Sequence, residues 1–400
     1  MWQETKNIYH FFQAVLASII YGFPANDLTV IGVTGTDGKT TTSSLIYHIL
    51  KKAGYKTAVI STVSAIIDGK EYDTGFHVTT PSSFMIQSYL RKAKEAEVKY
   101  VVLEVTSHAL DQYRVWGIPF KIGVLTNVTH EHLDYHKTYE EYLETKLKLL
   151  RMAEVAVVNR DDESFKKISN VKYQMSNIKW VTFGLHENAD INPVTFSFKT
   201  KLIGDYNTYN ILAAVAACQN LGFPDEVIRK AIADFTPPKG RAEVVYDDGF
   251  TVMVDFAHTP NSLSQILQTL RKELPKNARL IHVFGSAGER DAKKRPLMGR
   301  ESSRFADIIF LTSEDPRSES PEKIMEEIAE GIDKEEYTNI LYKAADRQEA
   351  INEAIKIARK GDVVLITGKG HEQSMNFGSG EVPWSDHEAV RKALGHLSYL

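Results

Sequence analysis

The sequence is poor in cysteine: its 400 residues contain one, Cys218, so no disulfide can form within the chain. Cys218 ends an apolar run at 210–218, which predicts a small core side chain rather than a nucleophile. The first residues do not have the pattern of a secretory signal peptide. Together these features predict a protein of the reducing cytoplasm.

Strong charge of one sign and long apolar runs are also missing. The formal net charge is −4, which predicts no broad basic surface for nucleic acid or for an anionic membrane. The apolar segment at 11–23 has 13 residues, whereas a membrane-spanning helix needs about 20. We therefore expect this segment to form a packed helix, with no stable membrane insertion. We also expect the protein to be a monomer.

What the chain does contain is an alternation of strand-like and helix-like apolar patterns. This order predicts an α/β protein with doubly wound parallel sheets, in which ligands bind at the carboxyl ends of strands. The predicted strands lie near Thr29–Val33, Thr57–Ser61, Tyr100–Val105, Ile122–Thr126, Val155–Asn159, Thr251–Phe256, Leu280–Phe284, Ile308–Thr312 and Val363–Thr367. The predicted helices lie near Thr41–Ala53, Ser83–Ala96, Tyr139–Met152, Ser262–Lys272, Pro321–Gly331, Asp346–Lys360 and Ser385–Leu394.

A strand, a glycine-containing turn and a helix follow one another between Leu28 and Leu50. Such a turn presents backbone N–H groups and a helix N-terminus to phosphate oxygens. Lys39 would reach the terminal phosphates of a nucleotide, and the Thr40 hydroxyl would bind Mg²⁺. The fit to the common phosphate-loop pattern is incomplete, because Val33 stands at the position of its first glycine. The loop predicts a nucleoside triphosphate and leaves a kinase, a switch, a motor and a ligase open.

Two further features have alternative readings from the residues alone. Glu104 ends a predicted buried strand beside the loop, where it is either a magnesium ligand or a strand-end charge. His130, His132, Asp134 and His136 alternate along the chain, a spacing that suits zinc about as well as magnesium.

Several short motifs, in order, resemble those of the Mur ligase superfamily, and most closely its UDP-N-acetylmuramoyl-tripeptide synthetases (MurE type). The resemblance extends over nearly all of residues 20–395. The motifs are TGTDGKTT at 34–41, VLEVTSHALDQYR at 102–114, TNVTHEHLDYH at 126–136, GDYNTYNILAA at 204–214, GRAE at 240–243, VDFAHTPNSL at 254–263, GSAGERDAKKRPLMG at 285–299, SEDPRSE at 313–319 and GKGHE at 368–372.

The resemblance implies an ATP- and Mg²⁺-dependent ligase that forms an amide. In such enzymes the carboxylate of UDP-MurNAc-L-Ala-D-Glu attacks the γ-phosphorus of ATP, and an amino acid then attacks the resulting acyl phosphate. It also implies an architecture: an N-terminal helical segment at 1–27, a central P-loop ATPase domain with a parallel sheet at 28–238, and a C-terminal Rossmann-like domain that binds the amino acid at 239–400. Pro-Pro-Lys-Gly at 237–240 predicts a hinge that closes the two domains over the reactants.

The motifs also assign site residues by resemblance. ATP would be bound by Thr36, Asp37, Gly38, Lys39, Thr40, Thr41, Asn207, Asn210, Arg241, Asp255 and His258. Magnesium would be bound by Thr40, Glu104 and His132. The UDP-MurNAc-dipeptide would be bound by Ser61, Thr79, Thr80, Ser107, Gln112 and Arg114. The amino acid would be bound by Arg290, Glu314, Asp315, Arg317, Gly368 and Glu372.

Lys39, His132 and Lys146 are the catalytic residues that the resemblance implies. Lys146 lies within the apolar stripe of a predicted helix, and the pattern alone favours a lysine whose stem packs while its ammonium reaches water. The resemblance implies instead an N6-carboxylysine, formed with CO₂, that helps to position magnesium. Glu131 stands directly before His132, at the position where the family has an aspartate.

The identity of the amino acid is less determined. Family members that use meso-diaminopimelate carry Asp-Asn-Pro-Arg, and here the tetrad is Glu314-Asp315-Pro316-Arg317. Arg317 favours diaminopimelate, because an arginine can bind the distal carboxylate through a bidentate pair. Two adjacent carboxylates would instead favour a second ammonium, as in L-lysine. We expect diaminopimelate.

One departure from the family pattern and two rival functions stay open. Tripeptide synthetases have a further N-terminal domain of roughly 90 residues, whereas here the phosphate loop begins at residue 34. A shortened ligase or a truncated chain would both account for this, and how the UDP moiety is bound is unresolved. The rival functions are a folylpolyglutamate synthase-like ligase and a P-loop switch or ATPase without ligase chemistry.

Overall fold

The computed structural model describes residues 2–72, 80–129, 133–172, 177–332 and 339–397. The chain folds into two compact units, Met1–Pro237 and Pro238–Leu400. Each unit has its own sheet and its own apolar core.

The first unit is built on one large sheet. Its strands are β1 (Thr29–Thr34), β2 (Thr57–Ile60), β3 (Ala65–Ile67), β4 (Lys70–Tyr72), β5 (Tyr100–Glu104), β6 (Phe120–Leu125), β7 (Ala153–Asn159) and β8 (Lys179–Phe183). In the described part of the chain their order is β4-β3-β2-β5-β1-β6-β7-β8. The strands from β2 to β8 in this order run parallel. β3 and β4 extend the β2 edge in antiparallel orientation.

Helices cover both faces of this sheet, as continuous apolar strands in a parallel sheet require. They are α1 (Trp2–Tyr21), α2 (Lys39–Lys52), α3 (Ser83–Glu95), α4 (Ser107–Asp111), α5 (Leu133–His136), α6 (Tyr139–Arg151), α7 (Ser164–Lys172), α8 (Asp205–Asn220) and α9 (Asp225–Asp234). Local sequence fixes several of their starts: the side chains of Ser82, Thr106 and Thr138 accept hydrogen bonds from the first turns of α3, α4 and α6.

The pleat of β1 divides the core between the two faces. Ile31 and Val33 pack in the cluster that includes the buried residues of α2 and α8, whereas Val30 packs with α3 on the other face. Cys218 is buried in the first of these clusters, which confirms the predicted core position.

The N-terminal apolar segment forms the second half of α1. Its inner face packs on the unit, with Phe11 edge-to-face on Trp116 at 5.6 Å between ring centroids. Its outer face exposes side chains such as Phe12 and Ile19. None of the helices in the described ranges combines the length and the apolar character that crossing a bilayer requires.

The second unit repeats the parallel plan on a smaller scale. Its strands are β9 (Glu243–Asp248), β10 (Phe250–Asp255), β11 (Leu280–Phe284), β12 (Ile308–Leu311), β13 (Ile340–Lys343), β14 (Val363–Thr367), β15 (Ser374–Asn376) and β16 (Glu381–Pro383). Over the described residues the main sheet has the order β13-β12-β11-β14-β10-β9, parallel except for β9. β15 and β16 form a separate antiparallel pair.

The helices of this unit follow its parallel strands. They are α10 (Pro260–Glu273), α11 (Lys294–Phe305), α12 (Pro321–Ala329), α13 (Arg347–Lys356) and α14 (Asp386–Leu397). α10 begins at a capping box between Thr259 and Ser262, with proline at its first turn. The predicted α/β class with parallel sheets is confirmed. Each strand and helix for which the sequence predicted a range is present, and its ends lie within a few residues of that range.

The largest boundary difference is at α13. The sequence predicted a helix over Asp346–Lys360, whereas the helix begins after Asp346 and ends at Lys356. Asp346 is the N-cap, because its side chain accepts hydrogen bonds from the N–H groups of Gln348 and Glu349. The chain then turns through Gly361, at φ 90°, to enter β14.

Candidate active site

The phosphate loop connects the carboxyl end of β1 to the start of α2. Gly38 is the N-cap of α2 with φ 81°, a left-handed conformation that favours glycine. A Cβ on Gly38 would lie 2.1 Å from Oδ1 of Asn210. Glycine is therefore required here both by the turn and by the close approach of α8.

The loop is fixed by the segment that follows β6. The Asn127 side chain accepts a hydrogen bond from Asp37 N at 2.9 Å and donates to Asp37 O at 3.1 Å. Thr126 Oγ1 donates to the same carbonyl at 2.7 Å. Thr36 Oγ1 accepts from Thr129 N at 3.0 Å. The loop is thus held in shape by protein contacts before any nucleotide binds.

The ammonium of Lys39 lies on the loop itself. Its Nζ donates to Thr36 O at 2.7 Å and to Gly35 O at 3.1 Å. A lysine at this place can extend to the β- and γ-phosphates by exchanging these carbonyl acceptors for phosphate oxygens.

Glu104 is buried at the end of β5, with 1% of its surface exposed. β5 pairs with β1 in a register that sets Glu104 beside Val33, immediately before the loop. Thr40 Oγ1 donates to both carboxylate oxygens at 3.1 Å. Thr62 donates through its hydroxyl at 2.9 Å and through its N–H at 3.1 Å.

The Thr40 and Glu104 pair fits the donor set that Mg²⁺ prefers. Both side chains present oxygen atoms, and Mg²⁺ commonly takes only one or two protein oxygens together with phosphates and waters. The third predicted ligand, His132, lies outside the described residues, as do His130 and Glu131.

Lys146 approaches the loop from α6. Its side chain is 1% exposed, so the pattern-based reading of an ammonium that reaches water is wrong. Its Nζ donates to Gly35 O at 2.7 Å and lies 4.3 Å from the centroid of the Tyr142 ring. The hydroxyl of Tyr142 is in turn 3.2 Å from Thr36 Oγ1.

Three of the residues assigned to the acid substrate, Thr80, Gln112 and Arg114, are linked by hydrogen bonds to one another and to Glu104. Thr80 Oγ1 donates to Glu104 O at 3.1 Å. Arg114 donates to Thr80 O at 2.6 Å through Nη1, and to Gln112 Oε1 through Nε and Nη2 at 3.0 and 2.7 Å. Ser61 Oγ donates to Ser64 O at 3.1 Å. Thr79 lies outside the described residues.

Ser107 has a partner that the sequence analysis did not assign to the site. His136 Nε2 lies 3.0 Å from Ser107 Oγ. Burial, reinforced by the neighbouring His108, lowers the pKa of His136 to about 4. The imidazole is therefore neutral at neutral pH and can exchange a hydrogen bond with Ser107 as donor or acceptor.

Asn207 and Asn210, both on α8, link the ATP-side residues to the start of α2. Thr42 Oγ1 donates to Asn210 Oδ1 at 3.3 Å, Asn210 donates to Asn207 Oδ1 at 3.3 Å, and Asn207 donates to Ile203 O at 2.8 Å. Thr41 is buried at the start of α2. The two asparagines are buried.

In the second unit, three predicted ATP-side residues lie together at the carboxyl end of β10. Asp255 accepts hydrogen bonds from Ala242 N at 2.6 Å and from Ala257 N at 2.7 Å. Burial raises its pKa, and Arg241 partly offsets this effect. The Arg241 guanidinium lies 4.5 Å from the centroid of the Phe256 ring.

His258 presents one ring nitrogen away from the backbone. Its Nδ1 is 2.9 Å from Phe256 O. A carbonyl oxygen only accepts, so Nδ1 carries the proton in the neutral ring and Nε2 is the acceptor.

The residues assigned to the amino acid lie where β11, β12 and β14 end. A Cβ on Gly368, at φ 106°, would be 2.2 Å from Glu314 Oε2, so the carboxyl group lies directly over this glycine. Burial raises the pKa of Glu314 to about 7, although Lys294 and His258 act in the opposite direction. Ser286 Oγ, Thr312 Oγ1 and Glu314 Oε2 are buried and have no partner within the described residues. Such atoms are rare in folded proteins and are consistent with a ligand site.

Asp315 and Arg317 have φ values of 43° and 53°, unusual for residues other than glycine. Arg317 Nη1 donates to Gly288 O at 3.1 Å. Asp315 Oδ1 accepts from Lys369 Nζ at 2.8 Å, and the same ammonium pairs with Glu372 at 2.5 Å. Arg290 lies in the neighbouring loop after β11.

Lys369 and Arg347 were not among the predicted site residues. Lys369 lies inside the GKGHE motif, which was the one available signal. Arg347 carries no such signal: it forms a bidentate pair with Asp386 at 2.8 Å and donates to Thr367 O at 2.8 Å, and both charged side chains are fully buried.

Comparison with family models gives two matches in sequence order. Residues 33–218 match the Mur ligase middle domain, and residues 240–370 match the Mur ligase glutamate ligase domain.

Individual relatives match over nearly the whole chain. A UDP-N-acetylmuramoyl-L-alanyl-D-glutamate–2,6-diaminopimelate ligase of Aquifex aeolicus is 40% identical over 94% of this chain and 79% of the relative. The enzyme of the same name from Geobacillus kaustophilus is 40% identical over 95% of this chain and 82% of the relative.

Solved structures give the same fold. A ligase of this name superposes with a TM-score of 0.63 at 31% identity, over 93% of this chain and 79% of that one. The Escherichia coli FolC structure with DHPP and ADP gives a TM-score of 0.72 at 20% identity, over 96% of this chain and 92% of that one. At that identity the FolC match shows the fold alone.

Proposed function

This chain belongs to the Mur ligase family, and we propose that it joins 2,6-diaminopimelate to UDP-N-acetylmuramoyl-L-alanyl-D-glutamate at the expense of ATP. The product is a peptidoglycan precursor. The relatives that carry this activity in their names are 40% identical over nearly the whole chain.

Activation of the acid is the first chemical task. A carboxylate does not condense with an amine at neutral pH, because oxide is too poor a leaving group. Attack of the carboxylate oxygen on the γ-phosphorus forms an acyl phosphate and releases ADP. The amine then attacks the acyl carbon, and inorganic phosphate leaves. The protein must therefore position two reactants and balance phosphate charge.

The residues around the phosphate loop suit this task. Lys39 supplies a cation next to the β- and γ-phosphates, and the loop N–H groups and the start of α2 add to it. Thr40 and Glu104 would hold Mg²⁺, which when bound neutralises the triphosphate and polarises the γ-phosphoryl group. Thr62 also donates to both oxygens of the Glu104 carboxylate and helps to hold it in place.

Lys146 is the predicted carbamate. Its buried Nζ donates to Gly35 O, the same phosphate-loop carbonyl that Lys39 contacts. The ammonium first loses one proton, and reaction of the resulting neutral amine with CO₂ forms an N–C bond and releases a second proton, so a cation becomes an anion. That anion would support the magnesium ligands rather than the phosphates.

The acid substrate would lie along Thr80, Ser107, Gln112 and Arg114. Arg114 is held by three hydrogen bonds to Thr80 and Gln112. The guanidinium has five N–H donors, so it retains some for a carboxylate of the dipeptide. The neutral His136 orients the Ser107 hydroxyl.

The amino acid would occupy the polar site of the second unit. Arg317 can bind a distal carboxylate, which diaminopimelate has and lysine lacks. Glu314, Glu372 and Gly368 would surround its ammonium groups. The substrates are metabolites of the cytoplasm, where we place the reaction.

One observation carries the proposal: the side chains of Lys39, Thr40, Glu104 and Lys146 lie around the same phosphate loop. The test is an assay of inorganic phosphate release with ATP, Mg²⁺, UDP-MurNAc-L-Ala-D-Glu and one amino acid at a time. We expect release with meso-diaminopimelate and an amide product by mass spectrometry. Release only with a folate and glutamate would establish the folylpolyglutamate reading, and release without any acceptor amine would establish a plain ATPase.

A further inference from the structure

The net charge of the amino-acid site depends on Lys369, a residue that the sequence motifs did not assign to amino-acid binding. The adjacent carboxylates of Glu314 and Asp315 make this sequence ambiguous between an acidic and a basic amino-acid side chain. Both residues are 7% exposed. A bound amino acid responds mainly to those charges that are not already paired within the protein.

Asp315 is paired within the protein by Lys369, whose ammonium it shares with Glu372. Its Oδ1 accepts from Lys369 Nζ at 2.8 Å and from Asn376 N at 3.0 Å. Lys369 is fully buried, with 0% of its side chain exposed. Opposite charges this close largely cancel at a distance, so the paired Asp315 acts on a ligand less strongly than a free carboxylate would.

The loop geometry keeps this pair together. Gly288 N donates to Asp315 O at 3.0 Å, and Arg317 N donates to Asn376 O at 3.0 Å. The tetrad is thus tied to the loop after β11 on one side and to β15 on the other. If the Asp315 side chain turned towards a ligand, it would lose its own hydrogen bonds from Lys369 Nζ and Asn376 N.

We infer that Lys369 is a positioning residue for amino-acid selection: by pairing with Asp315 and Glu372 it lowers the negative charge of the site and lets Arg317 bind the distal carboxylate of the incoming amino acid. This inference rests on the proposed ligase function and extends it to selectivity. Without Lys369, the Asp315 carboxylate would repel a second carboxylate and compete for Arg317, which stands two positions away. A lysine substrate, which has no distal carboxylate, would not meet this repulsion.

The test compares four proteins: the parent, Lys369→Met, Asp315→Asn and the double variant. The readout is kcat/KM for meso-diaminopimelate and for L-lysine, measured by phosphate release at saturating ATP and UDP-MurNAc-dipeptide. For Lys369→Met we expect the diaminopimelate-to-lysine ratio to fall by at least about tenfold, mainly through the KM for diaminopimelate. The double variant loses one positive and one negative charge and keeps Glu372, so the cluster has the same net charge as in the parent. We therefore expect the ratio to return to within about threefold of the parent.

Two controls separate selectivity from folding. Lys356→Met removes an exposed lysine of the same unit, 57% exposed and paired with Glu353, and should leave the ratio unchanged. Asp315→Asn gives a second measurement if Lys369→Met does not fold, because it removes the charge that Lys369 neutralises. We expect its ratio to stay at or above that of the parent.

Three results would overturn the inference. The first is a Lys369→Met ratio within threefold of the parent, and the second is a double variant whose ratio stays low. The third is a shift of Asp315→Asn towards lysine, which would mean that Asp315 reads the substrate directly. If the parent protein ligates neither amino acid, the proposed function fails as well, whereas ligation with an unmoved ratio removes the inference alone.

Discussion

Lys39 and Lys146 donate hydrogen bonds to the same carbonyl oxygen, that of Gly35, at 3.1 and 2.7 Å. One lysine comes from the first turn of α2 and the other from the middle of α6. Two ammonium groups on one acceptor concentrate positive charge on the phosphate loop, as binding of a triphosphate requires. Carbamylation of Lys146 would replace one of these charges by its opposite, so the two lysines need not have the same role.

Replacing Lys39 by methionine should abolish most of the activity. The substitution keeps the length of the side chain and removes the cation at the terminal phosphates, and we expect kcat to fall by about 100-fold or more. Phosphate release is the measurement. Lys52→Met, at the other end of α2 and half-exposed, is the matched control. Equal losses in both variants would point to a folding defect.

The carbamate on Lys146 predicts a dependence on CO₂. Removing CO₂ and bicarbonate from the buffer should lower the activity of the parent protein, and adding bicarbonate should restore it. Lys146→Ala should be inactive, with no rescue by bicarbonate. A ¹³C signal of a carbamate carbon after incubation with labelled bicarbonate is the direct measurement. A fully active Lys146→Ala variant would refute the modification.

Glu104→Gln should raise the requirement for Mg²⁺. An amide keeps one oxygen acceptor for Thr40 and Thr62 but loses the charge, so we expect the Mg²⁺ concentration for half-maximal activity to rise by about 10- to 100-fold. A titration of phosphate release against Mg²⁺ measures it. Glu97→Gln, with the carboxylate 84% exposed, should leave the titration unmoved. An unchanged requirement in Glu104→Gln would remove Glu104 from the metal site.

Glu314 predicts a pH dependence of stability. Burial raises its pKa from 4.5 to about 7, so the folded state holds the proton more tightly than the unfolded state. The stabilisation is complete below about pH 4.5 and is lost as pH rises towards 7, by roughly 3 kcal/mol. Between these pH values the parent should lose stability relative to Glu314→Gln in urea unfolding. The exposed Glu349→Gln variant should follow the parent, and parallel curves for Glu314→Gln would contradict the assignment.

The Arg347–Asp386 pair predicts a large cost for breaking it on one side only. Both side chains are 0% exposed, and Arg347→Met would leave an uncompensated buried carboxylate. We expect the second unit to lose about 3–5 kcal/mol of unfolding free energy. The double variant Arg347→Met/Asp386→Asn should lose less than the sum of the single variants. Additive losses in thermal or urea unfolding would show that the two charges act independently.

Most of the fold was predictable because its strands are continuous apolar runs between recognisable turns. The parallel strands at 29–34, 100–104, 280–284 and 363–367 were predicted to within one or two residues. The short antiparallel pairs β3–β4 and β15–β16 were not, since three-residue strands carry too little periodicity.

Site residues were predictable where they lie within a sequence motif. They were not predictable where their position depends on a partner that is distant in the sequence. Arg347 follows the N-cap of a helix with a polar face, so the sequence alone indicates a surface residue. It is instead buried and paired with Asp386, a partner 39 positions later in the chain that local pattern does not reveal. His136 was one of four alternating polar residues, and its contact with Ser107 depends on where α4 and α5 meet. For Lys146 the two kinds of reasoning disagreed. The local pattern favoured a lysine that reaches water, whereas the resemblance favoured a special role, and the side chain is buried.

The pairing of Val33 with Glu104 has a consequence for how this molecule tolerates change. The spacing between the phosphate loop and the acidic group is set by main-chain hydrogen bonds between two neighbouring strands. The connection from β2 to β5 can therefore lengthen, shorten or change its helix without altering that spacing. A slip of one position along the ladder would instead present Leu103 at the loop and turn the carboxylate to the other face of the sheet, so tolerance of insertions ends abruptly at the strand itself.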